Sequence, residues 1–450
     1  MTSRDPETFP LSEQASRQAW LVLAARVLEL RGVGVIDDEA FAAVARGLDA
    51  ARDALPDGDP IDVLIEGIER RVEAVLPAEL SGVLALAGAR EEVAATVLRL
   101  TARSHTLTLL RELEALRRVL LATAEDHAIT LLPAQIGGRP AQPTTFAHYL
   151  GGVLAPLATA AVRLRTAHDG ANRSPLGASA LAGGVIEFDR ERLATTLGFE
   201  APIANTFDAV ANVEVLVAYA EAAAAAVAPV RRFLNELLQW LRLEPTSLRL
   251  GEEWVTQPEP SLPYLTIPRG VEHLTASLAD AERAAASLSA RLRSLAYAPL
   301  GMHADAILDL LDDVGARAAE GLHAAQGLFA SGFEVNRAYL ANRAGRAFTT
   351  SGDLVAFLMT EESLPPSVAQ TIAGIVIARA VESGLEVSAI TPEAIDAAAV
   401  LTIGREIKPE METLGRFLAP RRFLERRQVT GSPAPAMTRA WLVAERARLD

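Results

Sequence analysis

Between Gly251 and Gly270 the chain places Glu259, Ser261, Tyr264, Thr266 and Arg269 in quick succession, with Glu272 and His273 just beyond. Pro258, Pro260, Pro263 and Pro268 stiffen the segment, since each fixes its own φ and restricts the residue before it. A carboxylate such as Glu259 acts as a general base when it is partly buried; otherwise it is a solvated loop group. Ser261 offers a hydroxyl for base or nucleophile chemistry, although the polarity of the loop accounts for it equally well. His148 and His303 carry imidazoles, the side chain most suited to proton transfer, and are proton-transfer candidates, but each also reads as an ordinary helix-face residue. The seven histidines never fall at the i, i+3 or i, i+4 spacing of a helical metal site, so no metal is expected. There is no cysteine nucleophile and no G-x-S-x-G elbow, and neither Gly137-Gly138 nor Gly183-Gly184 forms a phosphate loop. The expectation is no cofactor.

The elements that must position these groups read as helices. Half of the 450 residues are hydrophobic but only 5% are aromatic, so alanine, leucine and valine supply the core. Alanine and leucine favour helix, whereas a sheet protein draws on aromatic and β-branched residues. The net charge of −14 opposes a nucleic-acid partner or an anionic membrane held by bulk electrostatics. Met1 to Pro10 is polar and lacks the basic-then-apolar pattern of a signal peptide. The most apolar run, Val213 to Val230, is interrupted by Glu214, Glu221 and Pro229, which argues against a membrane span. A cytoplasmic protein is the simplest expectation.

Along the chain, Gln18 to Leu30 is apolar at helical spacing, Asp37 caps a second helix, Asp53 to Pro60 is turn-rich, and Ile61 to Val75 is amphipathic. From Arg90 to Leu132 there is no Pro or Gly, which predicts a helix on the order of 60 Å long. Pro143 to Ala167, Ile203 to Leu243 and Gly270 to Leu311 also read as long helices, kinked at Pro156, Pro229 and Pro299. Such lengths suit a bundled assembly, and their apolar surface predicts a homo-oligomer. Boundaries near 90 and 345 divide the chain into an N-terminal helical domain (1–90), a central bundle (91–345) and a small C-terminal helical domain (346–450).

The segment Asn172-Arg173-Ser174-Pro175-Leu176-Gly177-Ala178-Ser179-Ala180-Leu181-Ala182-Gly183 resembles the N-x-S-P-L-G-x-G-A-L-A-G stretch of argininosuccinate lyases, a branch of the fumarase/aspartase superfamily. Asp189-Arg190-Glu191, Leu197 to Pro202, Asn205 and Phe207 to Val210 follow in that family's order. Upstream, Ala141-Gln142-Pro143-Thr144-Thr145-Phe146-Ala147-His148 is similar to its A-Q-P-x-T-F-x-H; downstream, Leu295-Ala296-Tyr297 and Thr349 to Leu358 match in order. The resemblance covers most of the chain. It implies an all-α, three-domain protomer whose long helices form a multi-helix bundle in a tetramer, with sites shared between subunits.

Within that resemblance the catalytic residues are missing. The family's loop S-S-x-M-P-x-K-x-N-P aligns on Pro263 and Pro268, which puts Glu259 at the first serine, Leu265 at the lysine and Ile267 at the asparagine. Losing the lysine and asparagine removes the preorganised partners of a developing dianion, usually the largest catalytic contribution. The family's Thr-His pair falls on Ile136-Gly137, its H-x-N on Ile65 to Gly67, and its S-R-N-D on Ala89-Arg90-Glu91-Glu92. A glutamine after the matching tyrosine is Met302, and of the matched positions Arg90, Glu272 and Tyr297 persist.

These correlated losses imply that argininosuccinate is not cleaved. The candidate catalytic set is Glu259, Tyr297, His148 and Ser261; the candidate substrate-binding set is Arg90, Asn172, Ser174, Gln142, Thr144, Tyr264, Arg269, Glu272 and His303. Three readings stay open: a repurposed lyase acting on a non-succinyl small molecule in specialised metabolism, an inactive homologue that binds a ligand or co-assembles with an active subunit, or, against these losses, an argininosuccinate lyase that works by another chemistry.

Overall fold

The computed structural model describes residues 11–52, 60–86, 88–346 and 348–449. The polar residues 1–10 and positions 53–59 of the expected turn-rich linker lie outside them. The helices are α1 (Leu11–Gly32), α2 (Asp38–Arg52), α3 (Ile61–Glu73), α4 (Val83–Leu86), α5 (Arg90–Asp126), α6 (Phe146–Ala171), α7 (Arg190–Thr196), α8 (Thr206–Ala211), α9 (Glu214–Leu243), α10 (Arg269–Arg293) and α11 (Ala304–Ser331). Shorter ones follow: α12 (Arg337–Arg346), α13 (Ser351–Thr360), α14 (Pro366–Glu382), α15 (Pro392–Ile403), α16 (Met411–Leu418), α17 (Pro420–Arg426) and α18 (Pro435–Leu449). Two-stranded ribbons join them: β1 (Leu131–Ile136) with β2 (Arg139–Thr145), β3 (Arg173–Ser174) with β4 (Ala201–Pro202), and β5 (Leu248–Leu250) with β6 (Phe333–Val335). The fold is all-α, with the ribbons as connectors.

Four expected helices differ in detail: the one expected from Arg90 to Leu132 ends at Asp126, because Leu131 and Leu132 belong to β1 and pair with β2. The one expected from Pro143 begins at Phe146, because residues 143–145 belong to β2 and pair with β1. The one expected over Ile203 to Leu243 breaks after α8, where the Asn212 side chain accepts the Glu214 N–H at 2.7 Å and starts α9 afresh. The one expected over Gly270 to Leu311 stops at Arg293, so Pro299 lies in a connection rather than at a kink. Pro156 and Pro229 do sit inside α6 and α9.

The chain forms two compact units, each assembled from three stretches. The first takes the chain up to Leu113 together with Thr159–Ala228 and Ser277–Leu322. Here Asp37 caps α2 by accepting the Ala40 N–H at 2.8 Å, and α1, α2 and α3 pack through Val22, Leu23, Leu48, Ile65 and Ile68. Each such buried side chain contributes about 1.5–3 kcal/mol relative to exposure. Fully buried Tyr219 of α9 donates to the Leu311 carbonyl of α11 at 3.2 Å, so its hydroxyl is satisfied.

The second unit takes Glu114–Ala158, Pro229–Ala276 and the chain from His323 onward. Leu354, Phe357, Ile372, Ile395 and Leu414 belong to a core shared by α13 to α16. The β1–β2 hairpin turns at Gly137 and Gly138, whose φ values of 58° and 76° are those a two-residue turn with both residues left-handed requires. A side chain at Gly138 would also meet Leu243 at 2.6 Å.

Candidate functional site

In the first unit the matched segments converge on α5. Its first turn carries Glu91 and Glu92, where a helix N-terminus favours negative charge. Arg90 points to α3, pairing with Glu69 at 3.2 Å and Glu66 at 3.9 Å. Glu91 accepts the Gly301 N–H at 2.9 Å. Glu92 is 1% exposed, accepts the Ser179 N–H at 2.8 Å and lies 3.7 Å from the equally buried Arg26. Burial pushes the Glu92 carboxyl above the usual carboxylate range, and the Arg26 charge and backbone donors offset part of that rise. Ser179 is held at a left-handed φ of 54° in this contact. Glu92 and Ser179, with Gly88, Gly177 and Ile186, line a cavity of about 280 Å³.

About two and three turns further along α5 stand two arginines outside the candidate sets, Arg99 and Arg103. Arg103 donates to Asn172 Oδ1 at 2.9 Å and to the Gly198 carbonyl at 2.8 Å, and its guanidinium lies over the Phe199 ring. Arg99 donates to the Gly170 carbonyl at 3.1 Å; burial pushes it down to about 10, against the pull of Asp208. Asp208 in turn accepts from the Tyr297 hydroxyl at 3.2 Å and from Asn212 at 2.8 Å, while Phe207 stacks on the Tyr297 ring at 5.7 Å. Asn172 and Tyr297 are thus organised by neighbouring turns of α5. The signal was present in the sequence as two arginines four residues apart, on one face of the long helix expected from Arg90. Ser174 is fully buried, its hydroxyl accepting the Leu176 N–H at 3.3 Å, so it supports the β3–β4 connection. His303 ends a short turn, half-buried, with no side-chain partner among the described residues.

The second unit holds the proline-rich loop. Its base is closed by the Thr256 N–H to the Ile267 carbonyl at 2.9 Å and the Ile267 N–H to the Thr256 hydroxyl at 3.1 Å. Glu259, Ser261, Tyr264 and Arg269 are all exposed, Tyr264 by 80%, and line none of the four cavities described for the chain. Leu262, Leu265 and Ile267 are exposed as well, so within one protomer they plug no cavity. Glu272, at the start of α10, faces Arg242 at 3.6 Å and Arg269 at 3.8 Å.

The same unit brings Gln142, Thr144 and His148 together along a cavity of about 610 Å³ between β2, α6, α9 and the 423–433 segment. Thr145 caps α6 by accepting the His148 N–H at 3.0 Å. The His148 ring is fixed at both ends: Nδ1 to the Thr144 hydroxyl at 2.8 Å and Nε2 to the Gly431 carbonyl at 3.0 Å. A carbonyl only accepts, so Nε2 carries the proton, and in the neutral ring Nδ1 accepts from Thr144. The next residue, Tyr149, donates to Glu236 Oε2 at 2.6 Å and packs against Trp240 and Phe233. Burial, then the Glu236 bond and charge, raise the Tyr149 hydroxyl far above its ordinary value, so it remains a donor. Arg232 and Glu236 stand one turn apart on the cavity side of α9. Both lie just beyond the apolar run Val213 to Val230, and no motif or spacing in the sequence connects them with Tyr149. Among the described residues no cluster of histidine and acidic side chains is arranged to hold a metal ion. No helix among them is long and apolar enough to cross a membrane.

A helical protomer with these connections is the scaffold of the fumarase/aspartase superfamily, and residues 1–253 match the family model described as Lyase. The chain belongs to this lyase family. It is 29% identical to an argininosuccinate lyase of Methanoculleus marisnigri, covering 99% of the chain and 90% of that protein. An argininosuccinate lyase of Methanosarcina mazei is 26% identical, covering 100% of the chain and 91% of its own length. Among solved structures, EDDS lyase in complex with formate superposes with a TM-score of 0.86 at 22% identity, covering 100% of this chain and 91% of that one. The class II fumarase of Schistosoma mansoni superposes with a TM-score of 0.69 at 13% identity, covering 92% and 90%. At these identities the structures speak for the fold alone.

Proposed function

We propose that the chain is a lyase-family enzyme with a repurposed site, carrying out an elimination, addition or related step on a small molecule without a succinyl group. The observation that carries this reading is the fate of Glu91 and Glu92. They stand where the family's S-R-N-D stretch would receive a carboxylate, and they are built in, on Gly301 and on Ser179 with Arg26. A dicarboxylate arriving there meets fixed negative charge, and reversing that needs new backbone contacts as well as new side chains. Tyr297, Asp208, Arg99, Asn172 and Arg103 stay connected beside it and can orient a different substrate.

The protomer, in this reading, has three domains (1–90, 91–345 and 346–450), assembles as a cytoplasmic homotetramer and serves specialised metabolism. The separate core of α13 to α16 supports the last boundary. The experiment is a screen of small-molecule carbon–nitrogen and carbon–oxygen eliminations by mass spectrometry, with Tyr297→Phe as the control. Turnover that Tyr297→Phe leaves unchanged would place the chemistry elsewhere.

A second reading, an inactive homologue that binds a ligand or co-assembles with an active subunit, is favoured by one feature. Glu259 and Ser261 stand in solvent with no side-chain partner among the described residues, so nothing in a single protomer activates them.

A further inference from the structure

The large cavity of the second unit borders the hairpin that carries Ile136-Gly137, through Ala134, Gln142 and Thr144, but its charged and aromatic lining comes from residues outside the lost motifs. Its volume of about 610 Å³ falls within the range of small-molecule pockets. Its apolar lining includes Tyr149 of α6, Phe233 of α9 and Phe423 of α17, with Pro143, Pro156, Pro229 and Pro433. The opposing charges come from α9. Arg232 has no hydrogen-bond or ion-pair partner among the described residues, and Glu236 uses only Oε2, on the Tyr149 hydroxyl. The pair does not close on itself, although residues four apart on a helix have Cβ atoms about 5–6 Å from one another. Across the cavity, Pro156 has no N–H to offer the Gly152 carbonyl, so an acceptor on α6 is left without its usual helical partner at the cavity wall.

We propose that this cavity is a binding site for a free α-amino acid with an apolar side chain. Arg232 takes the carboxylate, Glu236 Oε1 and the Gly152 carbonyl take the ammonium, and the side chain lies among Tyr149, Phe233 and Phe423. A simple carboxylate would face Glu236 unanswered, and a simple amine would face Arg232; a molecule carrying both charges answers both. The Tyr149 bond holds Glu236 in place before the ligand arrives, which lowers the ordering cost of binding. The site stands whether or not the chain is catalytic, because Arg232, Glu236, Gly152 and the three aromatic residues lie outside the matched motifs, although Gln142, Thr144 and His148 of one motif line the same cavity.

The test is isothermal titration calorimetry of the full chain with L-phenylalanine as probe, beside 3-phenylpropanoate and 2-phenylethylamine, each lacking one of its charges. L-Phenylalanine is expected to bind, with both analogues weaker by about tenfold or more. Arg232→Gln and Glu236→Gln should each weaken L-phenylalanine by a similar factor. Gly152→Leu supplies a separate check: a side chain there meets nothing within 4 Å, so the helix forms and the cavity is filled. That variant should keep its helical circular dichroism and lose the probe. Absence of L-phenylalanine binding at millimolar concentration, or equal affinity in the wild type and Arg232→Gln, overturns the proposal, as does unaltered binding in Gly152→Leu.

Discussion

Glu91 of α5 accepts the Gly301 N–H at 2.9 Å, joining residues 210 positions apart and leaving no room at Gly301 for a side chain, since a Cβ would fall 2.2 Å from that carboxylate. The acid is therefore a strut of the fold, and in the proposed reading it also stands where a carboxylate would have to dock.

From this follows the first expectation. No fumarate should be released from argininosuccinate, adenylosuccinate, aspartate or malate. Ultraviolet absorbance of fumarate is the measurement, and turnover of any of these at roughly 1 per second or faster, a typical enzymatic rate, would falsify the reading of the lost motifs.

Glu92 makes a pH prediction. Its folded-state carboxyl is raised, chiefly by burial, so as pH climbs the unfolded chain ionises first and binds fewer protons than the folded one. Stability from this group is complete below the ordinary glutamate range and is lost as pH rises through the raised folded value. In Glu92→Gln that pH-dependent loss should vanish, because the neutral amide, like a protonated Glu92, has no charge to desolvate, and the variant's stability should stay flat where the wild type's falls. Chemical denaturation of both proteins across mildly acidic to neutral pH decides this: parallel stability curves would contradict the assignment.

The hairpin turn offers a simpler test. Gly138→Ala puts a Cβ on a left-handed residue and 2.6 Å from Leu243, and should destabilise by about 1–2 kcal/mol. Gly152→Ala, in open space within α6, should instead stabilise by about 0.5–1 kcal/mol. Thermal melts showing the two variants shifting in the same direction would contradict the turn geometry.

Assembly is the fourth expectation. α9 is apolar on most sides, yet Ala224, Ala225, Ala228, Ala286 and Ala290 line an open groove on the first unit. Light scattering at micromolar concentration should report a homo-oligomer, most simply a tetramer, and a monodisperse monomer would rule it out.

Much of the fold was legible because helices announce themselves locally. The run without Pro or Gly after Arg90 became α5, and Asp37 became the cap of α2, by short-range physics. The breaks at Asn212 and after Arg293 were hidden: the first depends on one side chain choosing its neighbour's backbone, the second on tertiary contacts such as the Leu300 N–H to the Val210 carbonyl. The hairpin was hidden because Leu131-Leu132 and Pro143 to Thr145 read as the ends of the flanking helices, and pairing across a turn is not a periodic signal. The candidate site was legible only where motif residues stayed in place. Arg99 and Arg103 become visible as organisers once α5, Asn172 and Asp208 are seen together.

The proline-rich loop is clamped at its base by two bonds involving Thr256 and Ile267, while the side chains at its tip bind nothing that the fold needs. Changes at the tip therefore carry little stability cost, and selection on that segment is released from selection on foldability. It behaves as an exchangeable cassette: a lineage can shed one set of reactive side chains and sample another while the helical scaffold is inherited intact. The same property makes positions 259–267 the natural place for a laboratory to write new chemistry into this chain.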